Sequence, residues 1–149
     1  MKSILQLDMS PLNDALKKIS NNVSSDKLGS AVLAGLFTLE AHAKLNVRNN
    51  FKQRTGFLAA NWDTKLDETS KNKAIGHTGP LAVYGRIQEL GGVIRSSSGS
   101  LRFQTDDGEW HVVKAVTIPA RPYLRPAADE NKDDIFMTVG NILHDLIEG

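Results

Sequence analysis

Residues 61–67 read Asn-Trp-Asp-Thr-Lys-Leu-Asp, and in this stretch the spacing of the apolar side chains changes. Trp62, Thr64 and Leu66 alternate with charged side chains, which is the pattern of a half-buried β-strand. Before this stretch, apolar residues recur every three or four positions, as they do on one face of a helix. The chain therefore passes from helices to strands here, and we predict an α+β fold.

The first predicted helix begins at Ser10-Pro11, where Ser is the N-cap and Pro occupies the first helical position. Its apolar residues form one stripe: Leu12, Ala15, Leu16, Ile19 and Val23. Such a stripe needs a packing partner, so this helix is expected to lie against the rest of the fold.

The second predicted helix begins at Ser25 or Asp26 and extends through Val47. It is apolar around much of its circumference, which indicates a central helix that is contacted on more than one side. Gly29 and Gly35 each lower its helix propensity by up to about 1 kcal/mol relative to Ala. We therefore expect a neighbouring element to approach the helix closely at these glycines.

After the transition, residues 74–76 and 81–90 are further extended or mixed candidates, separated by the breaker Gly79-Pro80. Two alternating runs, 101–103 and 110–118, flank Thr105-Asp106-Asp107-Gly108. An Asp-Gly pair between such runs predicts a β-hairpin.

The serine tract 95–100 predicts a flexible connection before this hairpin. A terminal helix is predicted to start just after Pro126, with Asp129 and Glu130 in its first turn. Its buried stripe comprises Ile135, Val139, Ile142, Leu143 and Leu146. Together these elements predict two amino-terminal helices and one carboxy-terminal helix packed on a mainly antiparallel sheet with a long hairpin.

Composition defines a class of protein but no activity. A chain of 149 residues suits a single domain, 1–149, and the absence of cysteine excludes thiol catalysis and cysteine-ligated metal sites. The net charge of +1 gives little attraction for nucleic acid or an anionic membrane. No apolar run is long enough to span a bilayer and Asp8 interrupts the start, so we expect a soluble protein without a signal peptide.

No arrangement of side chains predicts catalysis. The four histidines are scattered, and no pair has the spacing that puts two metal ligands on one helical face. The frames of a nucleophile elbow and of a phosphate-binding loop are both missing. We therefore predict that the protein is not an enzyme and needs no cofactor.

Three segments combine residues with special backbone requirements: 54–62 (RTGFLAANW), 82–92 (AVYGRIQELGG) and 118–127 (IPARPYLRPA). In the third, Pro122 and Pro126 fix the backbone around Tyr123-Leu124, which predicts a stiff extended latch that drives both side chains into a pocket. In the second, Gly91-Gly92 permits a turn or a close approach, and Glu89 could pair with an Arg.

The order of these segments resembles the head-to-tail connector, or tail-completion, family of long-tailed bacteriophages, related to the lambda tail protein Z group and to Mu-like virion morphogenesis proteins. The matching positions, with two neighbours from the same segment, are Thr55, Gly56, Leu58, Tyr84, Glu89, Gly91, Arg121, Pro122, Tyr123, Leu124, Pro126 and Ala127. Three positions depart from the family pattern: Gly85 where Ala is usual, Gly92 where Thr is frequent, and Tyr123 in place of Phe. The added hydroxyl of Tyr123 requires a polar partner if it is buried.

The resemblance implies a structural virion protein that completes the tail and helps to join it to the head, as a subunit of a ring that is six-fold to match the tail tube. Its implied partners are other copies of itself, tail terminator or tail tube proteins, and head-completion proteins. DNA would be met only as the passing genome, and no membrane is involved. The implied location is the virion neck, after assembly in the host cytoplasm. Loops such as 92–109 would reach a neighbouring subunit or ring.

Two alternatives remain open. The motif residues could serve only the core and turns of their own chain. Alternatively, the protein could be a small nucleic-acid-binding module that uses the basic end of the second helix: Lys44, Arg48, Lys52 and Arg54. The charge is unevenly spread, since residues 1–54 carry 8 basic and 4 acidic side chains and residues 95–149 carry 6 and 9. Unlike surfaces of this kind suit contacts between subunits.

Overall fold

The computed structural model describes residues 24–52 and 55–148, so the predicted helix from Ser10 and the side chain of Arg54 lie outside the described residues. The helices in these ranges are α1 (Ser25–Asn50), α2 (Phe57–Ala60), α3 (Gly85–Leu90), α4 (Leu124–Glu130) and α5 (Lys132–Glu148). The strands are β1 (Trp62–Ser70), β2 (Lys73–Pro80), β3 (Gly92–Arg95), β4 (Leu101–Gln104), β5 (Trp110–Val113) and β6 (Ala115–Ile118). Of these helices, none combines the length and the hydropathy that a membrane span requires.

Helices and antiparallel strands together confirm the predicted α+β class. The strands pair as β1 with β2, β3 with β6, and β4 with β5, so the described residues form three two-stranded sheets where one larger sheet was expected. The strand predicted at Trp62 is confirmed and continues to Ser70. Residues 74–76 lie in β2, and the predicted break at Gly79-Pro80 falls at the end of that strand.

Contacts divide the chain into two compact units. The first contains residues 24–38, 64–78 and 132–148 of the described chain, and the second contains 39–63 and 79–131. The core of the second unit comprises Val47, Leu58, Ala59, Ala82 and Tyr123. The prediction of one domain over 1–149 stays a prediction.

In the first unit, the glycines of α1 lie where neighbouring elements approach. A Cβ atom on Gly35 would lie 2.6 Å from Cγ2 of Val139 in α5. One on Gly29 would lie 3.0 Å from both Leu66 and Thr69 in β1. The close approach predicted from these glycines is therefore present, because helix and strand side chains occupy the space that a larger residue would need.

Residues 92–118 form one continuous β-ribbon, which we call the β-arm. Its inner sheet consists of β3 and β6, and its outer sheet consists of β4 and β5. Arg95 is paired with Ala115 in the inner sheet and Leu101 with Val113 in the outer sheet, so the serine tract 96–100 lies opposite Lys114 alone. Because this bulge holds more residues than the opposite strand, it splits the ribbon into two sheets. The segment 92–109 was expected to be an exposed loop, and this expectation is wrong because the segment contains β3 and β4.

The Asp-Gly hairpin is confirmed between β4 and β5. Gly108 has φ +87°, the left-handed conformation that this residue type adopts at low cost. The Asp107 carboxylate accepts hydrogen bonds from Thr105 Oγ1 at 2.5 Å and from Glu109 N at 3.2 Å. These bonds, the one from Thr105 first, lower the pKa of Asp107.

The predicted start of the terminal helix is wrong. Helix α4 already begins at Leu124 and contains Pro126, which is tolerated because proline lacks an N–H and a residue in the first turn needs none for an intrahelical bond. Asp129 and Glu130 therefore close α4 rather than opening the long helix. The helical conformation is interrupted at Asn131, whose side chain donates to the Ala127 carbonyl at 3.0 Å, and α5 begins at the next residue.

The segment 81–90, predicted as extended or mixed, is helical in its second half. The N–H of Gly85 donates to Ala82 O and that of Gly91 to Ile87 O, both at 2.8 Å, which bounds the short helix α3. A helix of 6 residues is too short to show the three- and four-residue apolar spacing, so its sequence gave no helical signal.

Candidate functional site

Tyr123 lies at the centre of the second unit, with 1% of its surface exposed. The rings of Phe51 and Trp62 meet it edge to face, with centroids 6.0 and 6.2 Å away. Aromatic pairs in this geometry add about 0.5–1.5 kcal/mol to the burial of the rings. The aromatic side chain between the two prolines is thus the anchor of this unit.

Every polar atom of Tyr123 has a partner. Its hydroxyl donates to the Gly85 carbonyl at 3.0 Å, which supplies the partner that a buried phenol requires. Its carbonyl accepts from Asn46 Nδ2 at 3.0 Å, and its N–H donates to Glu89 Oε2 at 2.7 Å. Burial, and then the charge of Glu89, raise the pKa of Tyr123 to about 12, so this phenol is neutral and unsuited to act as a base.

The Glu89 carboxylate caps helix α4 from a distance in sequence. Oε2 accepts from the N–H groups of Tyr123 and Leu124 at 2.7 and 2.9 Å, and Oε1 accepts from Arg125 N at 2.9 Å. These N–H groups have no intrahelical acceptor, and the helix dipole favours negative charge at this end. The expected Arg partner is therefore replaced, within the described chain, by the backbone of the third motif segment.

Gly91 brings the second and third segments into contact. Its φ is +68°, and a Cβ atom there would lie 2.7 Å from Ala120 N and 3.0 Å from Ile118 O. A side chain is excluded both by backbone conformation and by lack of space. Next to it, Arg121 N donates to Gln88 O at 2.8 Å, which fixes the approach of the two segments.

The first motif segment packs against the same core. Gly56 has φ +68° and its carbonyl accepts from Ala59 N and Ala60 N, so it starts α2 and turns Leu58 inward. Thr55 Oγ1 accepts a long bond of 3.4 Å from Phe57 N. Leu58 O in turn accepts from Trp62 Nε1 at 2.8 Å, which links this segment to β1.

The motif residues divide between core and surface. Leu58, Tyr123 and Ala127 are buried, whereas Tyr84, Arg121 and Pro122 are exposed. Tyr84, Thr55 and Gly56 line a cleft of about 220 Å³. Pro126 is half-buried in the first turn of α4. The expected extended latch between the two prolines is therefore wrong, because Tyr123, with φ −130° and ψ −34°, is the N-cap of α4 and Leu124 is already helical.

The basic stripe of α1 is only partly available. Lys44 forms an ion pair with Glu40 one turn earlier, whereas the side chains of Arg48 and Lys52 are exposed. No group of three or more acidic or histidine side chains within the described residues is placed to hold a metal ion. His77 lies 2.8 Å from Asp67, and both are exposed strand residues.

Sequence reasoning missed a group of exposed apolar side chains around α3. Leu81, Val83 and Leu90 expose 62, 98 and 63% of their surface, although Leu81 and Val83 flank the buried Ala82. The buried Ala82 between Leu81 and Val83 shows that the larger side chains of this segment point outward. The signal in the sequence was the small residue Ala82 between two large apolar residues, which is compatible with Ala82 inside and both neighbours outside.

Comparisons of the chain with protein-family models, with curated proteins and with solved structures found no match.

Proposed function

We propose that the chain is a structural protein of the neck of a long-tailed bacteriophage, which completes the tail and helps to join it to the head as one subunit of a ring. The observation that carries the proposal is the meeting of the three motif segments around Tyr123. Short matches that arose by chance would have no reason to be in contact. Their contact supports the resemblance on which the function rests.

The Glu89 cap gives the resemblance a physical basis. The carboxylate of the second segment satisfies the backbone of the third, and Gly91 allows the two to approach. A residue pair of this kind has to be kept together, since a capping carboxylate without its N–H groups is worth little. The motif therefore describes one folded unit that presents the surfaces used in assembly.

The proposed partners follow from the same resemblance: copies of the chain in a ring, six-fold to match the tail tube, a tail terminator or tube protein, and a head-completion protein. Assembly takes place in the host cytoplasm, and the mature location is the virion neck. The work is done by interlocking surfaces, so the proposal includes no catalysis.

A deletion of the gene from the phage or prophage that encodes it tests this function. We expect filled heads and finished tails that stay separate in electron micrographs, with infectivity restored by a plasmid copy. A plasmid copy carrying Lys71→Ala, in the exposed connection between β1 and β2, is the matched control and should restore infectivity equally. Normal titres from the deletion would refute the proposal.

A second candidate, a nucleic-acid-binding module, is favoured by the exposed side chains of Arg48 and Lys52, neither of which forms an ion pair within the described chain. Binding to a generic duplex that weakens with salt, and weakens further in Arg48→Ala/Lys52→Ala, would support it. No binding at low salt would remove it.

A further inference from the structure

An apolar surface around helix α3 carries the cation Arg86, and the Glu89 carboxylate that lines one of its clefts is already engaged by backbone N–H groups of α4. We define the α3 surface by Leu81, Val83, Arg86, Ile87 and Leu90. Two adjoining clefts of about 370 and 320 Å³ share Val83, Arg86 and Leu90, so these side chains form one continuous surface. Monomeric proteins rarely expose contiguous apolar surface of this kind unless it binds something.

A second apolar surface lies on α5. We define the α5 surface by Asp133, Phe136, Met137 and Gly140, which share one face of the helix at three- and four-residue spacing. Phe136 and Met137 expose 70 and 63% of their surface, and a Cβ atom on Gly140 would meet nothing within 4 Å. A neighbouring face carries Val139, which packs toward Gly35. The helix is therefore apolar on two faces, and among the described residues of the first unit the contact with α1 is made by the face that carries Val139.

The two surfaces complement each other in charge. Arg86 has no ion pair or hydrogen bond to its side chain within the described chain, and neither has Asp133. Arg86 is thus the unpartnered charge on the α3 surface, and Asp133 is the unpartnered charge on the α5 surface. A contact between the two surfaces would bury apolar area and give both charges a counter-ion at the rim.

We propose that the α5 surface of one copy docks on the α3 surface of a second copy, and that this is the contact that builds the ring. The inference rests on the proposed function, since that function requires a ring. Because two different surfaces meet, a copy that has used one surface keeps the other free for a further neighbour, and such a contact closes into a ring or grows into a filament. A symmetric pairing of either surface with itself would give Arg86 no unpartnered carboxylate and Asp133 no unpartnered cation, so neither charge would gain a counter-ion.

The lack of native cysteine makes a background-free crosslinking test possible. Val83→Cys and Met137→Cys are made singly in the full chain, mixed, and oxidised mildly over a range of protein concentrations. We expect a crosslinked dimer in the mixture and about tenfold less dimer in either variant alone. Val83→Cys mixed with Lys71→Cys, whose cysteine lies in the connection between β1 and β2, is the matched control and should resemble the single variants.

The chain that carries both cysteines decides between contacts within and between copies. A ladder of crosslinked species that ends at a closed ring supports the proposal. A fast-migrating monomer would place the bond within one chain and overturn it. A dimer that ends the ladder would indicate a symmetric contact and also overturn it, as would an absence of crosslinks in the mixture.

A charge exchange tests the specific pairing. Arg86→Glu and Asp133→Arg should each lower the crosslinked yield about tenfold, and a mixture of the two should restore it. Equal yields in all combinations would overturn the assignment of these two surfaces. Loss of crosslinking with intact head–tail joining would reject this contact only, whereas normal titres after gene deletion would reject the neck function itself.

Discussion

Two departures from the family pattern, Tyr123 and Gly85, meet in one hydrogen bond. The Tyr123 hydroxyl donates to the Gly85 carbonyl, and a Cβ atom on Gly85 would lie 3.1 Å from that hydroxyl. The Tyr123 hydroxyl therefore lies against the position that an alanine methyl group would take at residue 85. The sequence identified both departures, but only the structure shows that each accommodates the other.

We predict that the two positions are coupled in stability. Tyr123→Phe should cost about 1 kcal/mol through the lost hydrogen bond. Gly85→Ala should cost less in the Tyr123→Phe background than in the native chain, although Pro80, whose Cγ would lie 2.7 Å from the new Cβ, keeps part of the cost. Urea unfolding of the four proteins of the cycle measures this coupling, and strictly additive costs would contradict it.

Tyr123 also predicts how stability depends on alkaline pH. Its pKa is raised from 10.0 to about 12 in the folded chain, so the folded state keeps a proton that the unfolded state loses. The stabilisation is complete below pH 10 and is lost at about 1.4 kcal/mol per pH unit as the pH rises toward 12. Subtracting the profile of Tyr123→Phe from that of the native chain isolates this contribution. Parallel profiles would show that Tyr123 does not titrate in this way.

A comparison of Gly91 and Gly108 distinguishes two costs of replacing a glycine: backbone strain at positive φ and steric crowding of the new Cβ atom. Both have positive φ, but a Cβ atom would be 2.7 Å from Ala120 N at Gly91 and no nearer than 4.0 Å to any neighbour at Gly108. Gly108→Ala should therefore cost about 1–2 kcal/mol from backbone conformation alone. Gly91→Ala should cost clearly more, because the main chain at Ala120 has to move. Thermal unfolding compares them, and equal losses would mean that the approach at Gly91 is not tight.

At the scale of elements, long periodic segments were predictable and short ones were not. Helix α1 and the β4–β5 hairpin follow from apolar spacing and from Asp107-Gly108, both of which are local signals. The start of α4 was misplaced because its cap, Glu89, lies 34 residues before Tyr123 and no local pattern announces it. Likewise, the partners of Tyr123 come from three segments, so its burial could be anticipated but its contacts could not.

The outer sheet of the β-arm, formed by β4 and β5, should be dispensable for folding. None of the buried core residues lies in residues 92–118. Replacing residues 96–114 by Asn-Gly would join Arg95 to Ala115, which are already paired, through a two-residue hairpin turn. We expect the free energy of unfolding to change by less than about 1 kcal/mol. A large loss in urea unfolding would show that β4 and β5 support the core.

At the scale of the whole molecule, the near-zero net charge and the exposed apolar side chains suit the contacts between copies proposed above. The net charge of +1 was known from the sequence, but the sorting of apolar residues between inside and outside was not. Ala82 and Val83 are neighbours with opposite exposure, and their order cannot be inferred from apolar content alone. Tertiary packing decides which of the two faces water.

This difference predicts opposite responses to the same substitution. Val83→Asp should change the unfolding free energy by less than about 0.5 kcal/mol, because the side chain is 98% exposed. Ala82→Asp would put a carboxylate into the core and should unfold the chain or cost several kcal/mol. Circular dichroism during urea unfolding compares the two, and a strongly destabilised Val83→Asp variant would contradict the exposed position.

The Glu89 cap closes a loop of 34 to 36 residues, and the whole β-arm lies inside it. With both ends of this loop held by the same carboxylate, the entropy of closure depends only weakly on what lies between them. Doubling the loop length costs only about 0.6 kcal/mol. The arm is thus a position where a change of length costs the fold little, and the bulge 96–100 is a suitable place to insert a peptide tag.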